Sequence, residues 1–282
     1  MPFKRSPALR SLQLGLSDVE ELVQVQLTRF PCGSLILGFT THHLVVDGHA
    51  TSNFLVAWGL NTHGISIDPF PFHDRSIFAT RSRSQFDYEH QGVEFVTKKL
   101  GGSSMEDGDQ SSGLPGYKMT QIQISVNGPM RLIHPPVLKE YFGNLVLWVF
   151  PFVSIEELKC NPLRFIIELI HNEILKVNND YFQSFIDFSS SKCIIAKGLV
   201  PSANMNKSIL SPNLEVDSWL RFPFYDLDFG GGYRYYFMLT YIPVEDMLFL
   251  LHSFIGDGSI DAFIPLFQLN IHVFKKGCYV LK

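Results

Sequence analysis

Between Glu21 and Gly64 the hydrophobic period changes, and that change constrains the fold more than any other feature of the chain. "ELVQVQLTRF" alternates, with Leu22, Val23, Val25, Leu27 and Phe30 apolar and Gln24, Gln26 and Thr28 polar, as a half-buried strand does. After the turn signal "PCGS", "LILGFTT" is a nearly continuous run of strand formers, the pattern of a strand covered on both faces. The two predict a hairpin. The next segment, "HHLVVDGHATSNFLVAWG", puts Phe54, Leu55 and Trp58 on one side of a helical wheel, and "NTHG" supplies a stop at Gly64. A buried strand therefore hands over to a helix at two adjacent histidines, His42 and His43.

The same mixture continues along the chain. "TQIQISVNG" alternates as a strand, and "YFGNLVLWVFPFVS" reads as another, buried one. Ser154 with Glu157 forms a capping box, and Asn161-Pro162 is a cap and first-position pair. Leu163, Ile166, Ile167, Ile170 and Ile174 then share a helical face. The aromatic tail predicts further strands, among them "YRYYFMLTYIPV" and a hairpin at Gly256 to Gly258, and then a closing helix. Interleaved strands and helices give a mixed α/β class with two lobes. The Gly, Ser and Asp tract at Gly101 to Gly116 reads as the solvated linker between residues 1–100 and 117–282.

With 282 residues, 46% of them hydrophobic, and a net charge of -4, the chain has the composition of a globular protein, and nucleic acid is not an expected partner. Its longest apolar runs, such as Leu145 to Val153, are too short to span a bilayer, and its start does not read as a secretory signal. The expectation is a soluble cytoplasmic protein, monomeric and without a membrane partner. Cys32, Cys160, Cys193 and Cys278 are scattered without C-x-x-C spacing, which fits reduced core thiols.

Several segments carry chemistry-bearing residues. His43, Asp47 and Gly48 form H-x-x-x-D-G. An imidazole at the end of a rigid strand has the chemistry of a general base near neutral pH, with Asp47 orienting the loop or the ring. The spacing alone equally describes a satisfied histidine at a strand end. A metal site on His42, His43 and Asp47 lacks a further ligand constellation, and no G-x-S-x-G supplies a serine nucleophile. "DFGGG", Asp228 to Gly232, is not a phosphate loop, because the residues after it read as a strand and provide no helix N-terminus. Glu215 and Asp217, two apart on a strand, face the same side and repel unless they are solvated or countered by a cation.

In their order and with their flanks, "HHLVVDG" and "DFGGG" resemble the two signatures of the plant BAHD acyltransferases, H-x-x-x-D and D-F-G-W-G. The wording of "GHATSNFLVAWG", "EYFGNLVLW", "NDYFQSFIDF" and "FIGDGSIDAF" is similar to the cereal branch that makes hydroxycinnamoyl amides of agmatine and related amines. The resemblance implies two chloramphenicol acetyltransferase-like lobes of mixed sheet with flanking helices, and transfer from acyl-CoA, a co-substrate, to a small amine or alcohol. It implies no metal and no other cofactor. Carried onto this chain, it makes His43 the base and Asp47 with Gly48 the support of its loop. Asp228, Phe229, Gly230 and Gly232 become a structural motif remote from the reaction. Trp219 belongs to an acceptor wall in which Asp217, and Glu215 beside it, suit a cationic acceptor.

Three departures from the family stand out. Gly231 replaces the tryptophan of the second signature, and Pro129 replaces an arginine that would pair with Asp47, leaving Arg131 as the nearby substitute. The chain is also shorter than the family's, which implies an incomplete N-terminal lobe and missing residues around the linker. A catalytically inactive truncated acyltransferase is the alternative expectation.

Overall fold

The computed structural model describes residues 21–97, 118–202, 212–232, 237, 239, 246–253 and 255–278. The linker at 101–116 lies outside them, as does most of "YRYYFMLTYIPV". Strand β1 (Val23–Arg29) pairs antiparallel with β2 (Leu35–Thr41), Val23 opposite Thr41 and Arg29 opposite Leu35, as the alternating pattern predicts. Gly33, at φ +90°, makes the turn, which is closed by the Phe30 and Gly33 amides. The expectation that β2 is covered on both faces fails: Leu35 is 56% exposed and Leu27, on β1, 63%. An apolar run records the capacity to be covered, and no described element lies over this hairpin's outer residues.

The main sheet has the order β10-β9-β8-β4-β5, with β6 also on β4. Its centre is β4 (Met119–Asn127), antiparallel to β5 (Val146–Val149) and β6 (Phe152–Ser154) and parallel to β8 (Leu214–Ser218). Then come β9 (Met247–His252), parallel to β8, and the edge strand β10 (Ile260–Phe263), antiparallel to β9. Gly256 and Gly258, both at positive φ, form the last turn as expected. The run "YFGNLVLWVFPFVS" is not one strand but two. Pro151 has no amide hydrogen to give to a ladder, and it separates β5 from β6 while its carbonyl accepts from Ile122 N–H.

Among the described residues six α-helices flank these strands: α1 (Gly48–Thr62), α2 (Ile155–Cys160), α3 (Leu163–Lys176), α4 (Asn179–Ser189), α5 (Lys192–Ala196) and α6 (Gln268–Gly277). Gly64 stops α1 in the left-handed conformation, donating to the Asn61 carbonyl. Ser154 and Glu157 form the expected capping box of α2. Asn161, by contrast, does not cap α3: its side-chain amide donates to the Glu157 carbonyl of α2, and α3 starts after Pro162. The apolar face of α3 is only partly used. Ile174 packs on the main core, whereas Leu163 and Ile167 stay exposed. The cysteines are free, but none is a core thiol: Cys32, Cys160 and Cys278 are exposed and Cys193 half-buried. Each lies in a turn, at a helix end or on a short helix. No helix among the described residues is long and apolar enough to cross a membrane.

The core centres on Val126, Leu147 and Val149 of the sheet, Tyr141, and Phe182 and Ile186 of α4. Segments before and after residues 98–117 meet here. Strand β3 (Phe95–Thr97) pairs with β7 (Leu199–Pro201), and the wholly buried His90 lies 3.0 Å from Glu94 Oε2 and 2.9 Å from Ser184 Oγ. Asp187, 1% exposed, accepts from the Arg81 and Gln85 amides and from Arg81 Nε at 2.6 Å. Burial acts to raise its carboxyl, but these donors outweigh it and hold the group below the ordinary carboxylate range. Asp187→Ala, which leaves the two backbone amides and Nε of the partly exposed Arg81 without their acceptor, is expected to lower stability by about 1–3 kcal/mol in urea denaturation at pH 7. A lowered carboxyl stabilises above its unfolded pKa of about 3.9 and ceases to do so as pH falls through its folded value, so the difference should shrink below that pH.

Candidate active site

Asp47 is 4% exposed and belongs to two structures at once. It is the N-cap of α1, Oδ1 accepting from Ala50 N–H at 2.9 Å, while Oδ2 accepts from Leu145 N–H at 3.0 Å. Its own amide donates to the Gly143 carbonyl at 3.3 Å. Both carboxylate oxygens are thus taken by neutral backbone donors, and no ion pair joins Asp47 to Arg131. The arginine absent at Pro129 leaves neither oxygen of this carboxylate without a donor, because the Ala50 and Leu145 amides bind them.

His43 stands in the exposed turn between β2 and α1. Its carbonyl accepts from Asn144 Nδ2 at 2.7 Å. Residues 143–145 therefore hold the H-x-x-x-D loop at both ends, through Asn144 on His43 and through Gly143 and Leu145 on Asp47. That segment is itself fixed. Gly143 has Tyr141 Oη 2.6 Å from where a Cβ would be, and Gly128 N–H donates to the Leu145 carbonyl at 2.8 Å. Sequence reading missed Asn144 and Gly143. Their one signal was a small residue and an amide standing in front of an apolar strand.

Across from this loop, Glu215 and Asp217 share a face of β8, in register with β4, where Gln123 is opposite Glu215. Burial raises the Asp217 carboxyl, and the Ser125 hydroxyl and the charge of His43 pull it partway back. Burial, with Asp217 adding its repulsion, pushes Glu215 up to about 7. The structure thus brings His43, Ser125 and both carboxylates into one polar group. Ser125 is a further residue the sequence did not reveal. Trp219 continues the face, its amide donating to the Leu250 carbonyl and its ring meeting Phe249 edge-on at 5.5 Å.

The "DFGGG" segment is joined to the same helix at its other end. Phe229 packs edge-on against Trp58 at 5.2 Å, and His63 Nε2 lies 3.4 Å from Asp228 Oδ1. Asp228 Oδ1 also accepts from Gly230 N–H, in a turn where Gly230 and Gly232 have positive φ. Among the described residues nothing lies within 4 Å of where a Cβ on Gly231 would point. Two glycines of α1 allow close approach. A Cβ on Gly48 would lie 2.6 Å from the Phe222 ring, and one on Gly59 2.5 Å from the Asp228 carbonyl oxygen. Helix α1 is thus seated between the loop of the first motif and the turn of the second. Among the described residues no three His, Cys, Asp or Glu side chains gather as a metal site.

The sequence profile of the Transferase family matches residues 9–107 and 108–281. The chain belongs to this family. Among curated members, agmatine coumaroyltransferase-1 of Hordeum vulgare is 40% identical over 331 residues, covering all of this chain and 75% of that protein. Putrescine hydroxycinnamoyltransferase of Oryza sativa subsp. japonica is 39% identical over 348 residues, covering all of this chain and 76% of that protein. Both matches run longer than the chain's 282 residues, so these relatives carry stretches that it lacks. Of solved structures, vinorine synthase is similar with a TM-score of 0.59 at 18% identity, over 90% of this chain and 65% of that one. F. graminearum TRI101 complexed with coenzyme A and T-2 mycotoxin gives 0.66 at 14% identity, over 93% and 69%. The chain therefore has the BAHD acyltransferase fold and spans about two thirds of those structures.

Gly59→Ala tests the seating of α1. At an open helix position the change would stabilise by about 1 kcal/mol. Here the Asp228 carbonyl occupies the space, so a loss of about 1–3 kcal/mol is expected in thermal or urea unfolding.

Proposed function

We propose that this chain transfers an acyl group, of hydroxycinnamoyl type, from a coenzyme A thioester to an amine such as agmatine or putrescine, with His43 as general base. One observation carries the reading: a held histidine loop faces two partly buried carboxylates that have no lysine or arginine as counter-cation among the described residues. A basic acceptor supplies that cation, and the names of the most similar relatives point to the same class of amine. The attacking nitrogen forms its bond to the thioester carbonyl while His43 takes its proton. Collapse of the tetrahedral intermediate breaks the C–S bond, and the proton passes to the leaving thiolate. No protein nucleophile is required, and coenzyme A enters as a co-substrate.

Asp47, Asn144 and Leu145 contribute by holding the loop that carries the base. Glu215 and Asp217 contribute by favouring a positively charged acceptor over a neutral alcohol. A second reading, a chain of this family that no longer turns over, is supported by the uncovered hairpin of β1 and β2 and by the shortened span.

Acyl transfer from coumaroyl-CoA, tested on agmatine, putrescine and shikimate with products identified by mass, separates the two. The expected outcome is amide formation with the diamine or the guanidino-amine, reduced about 10²–10⁴-fold by His43→Ala. A soluble chain giving no product with any acceptor establishes the second reading. Glu215 pairs with a cation only when ionised, which requires pH above about 7. The KM for agmatine should therefore rise as pH falls from 8 to 6, and Glu215→Gln should flatten that dependence in KM while leaving the pH dependence of kcat.

A further inference from the structure

Strand β1 presents its apolar side to solvent. Val23, Val25 and Leu27 are 44, 40 and 63% exposed, while the polar residues that alternate with them are partly covered. Cross-strand neighbours carry this surface onward: the exposed Leu35 is opposite Arg29, and Phe39, opposite Val25, meets the exposed Phe54 ring at 5.9 Å. A contiguous apolar patch marks an interaction surface where scattered single side chains do not. The strand is also an edge, because β1 pairs with β2 alone among the described residues.

The ladder determines which backbone groups that edge offers. His42 N–H donates to the Leu22 carbonyl and Phe30 N–H to the Ser34 carbonyl, so the even-numbered residues of β1 are the ones that bond to β2. The amides and carbonyls of Val23, Val25, Leu27 and Arg29 point the other way, as a row to which a further strand can be added. A second copy of β1 fits that row. Antiparallel pairing about a two-fold axis at Val25 sets Val25 opposite Val25, Val23 opposite Leu27, and Glu21, just before the strand, opposite Arg29. Glu21 and Arg29 are both exposed, and neither has an ion pair among the described residues. A slip by two residues breaks the match, since one direction puts Arg29 opposite Val23 and the other puts Glu21 opposite Leu27. Charge and apolar contact therefore select one register together. The other edge, β2, has no charged residue between Leu35 and Thr41 to select one.

We propose that β1 is a self-association edge, through which two copies of this chain form a closed antiparallel dimer centred on Val25. The contact is isologous, each copy giving the same strand to the other. It departs from the monomer expected from the sequence, and it stands independently of the acyl transfer proposed above. A single edge pairing covers less than the roughly 800 Å² per partner of a standard interface, so the dimer forms at micromolar concentration.

Sedimentation of the full chain over about 1 to 100 µM is the test. The wild type should pass from monomer to dimer across that range and go no further. Val25→Lys sets two like charges against each other at the axis and should weaken association roughly tenfold. Glu21→Arg or Arg29→Glu alone should weaken it about three- to tenfold, and the two exchanges together should restore it to within about twofold. Because these two side chains are exposed, the exchange series still decides the matter if Val25→Lys melts below the wild type. A chain that stays monomeric through the whole range overturns the proposal. A dimer indifferent to Val25→Lys places the contact elsewhere on the molecule, and single exchanges that the double one does not rescue remove this register. Assembly that continues beyond the dimer overturns the closed arrangement.

Discussion

The Asp47 carboxylate is the point on which the candidate site depends. One oxygen closes the first turn of α1 and the other holds Leu145, so the start of a helix and the approach to β5 are fixed by a single side chain. Buried away from water, such a carboxylate persists only when its acceptor sites are filled, and two amide donors at 2.9 and 3.0 Å fill them. The His43 turn lies between this anchor and the end of β2, with Asn144 holding its carbonyl. Asp47 therefore needs no part in proton transfer to matter for the proposed chemistry, because His43, the proposed base, can be placed only where this junction allows.

What the sequence made legible follows the range of the interactions involved. The β1–β2 hairpin, β4, the α2 capping box, the Gly64 stop and the last glycine turn are all written in neighbouring residues, through period, caps and turn chemistry. The pairing of Glu215 with Asp217 on one face is likewise a matter of strand period. Their approach to His43 is not, because it requires β8 to lie parallel beside β4. Asn144 and Leu145 meet their partners across about a hundred residues of chain, and no local pattern encodes such a contact.

The corrections have the same origin. Asn161 has the chemistry of a cap, but its side-chain amide donates to the Glu157 carbonyl of α2, and the cap position of α3 falls to Pro162. The apolar β2 pattern predicts two-sided burial, yet burial is a property of whatever lies opposite. Residue type alone predicts core positions for the cysteines, although a thiol fits a turn or a helix end as readily. Family resemblance supplied what period and composition could not, namely that the two short motifs belong to one structure.

Helix α1 gives that union a mechanical form. Its fifteen residues make a rod of about 22 Å, resting at one end on the Asp228 carbonyl beside Gly59 and carrying the Asp47 junction at the other. A rod of that length pivoted by three degrees at its far support moves its near tip by about 1 Å, a displacement on the scale that costs an enzyme about two orders of magnitude in rate. The glycine-rich turn therefore acts as the fulcrum of a lever, setting the aim of a histidine it never touches.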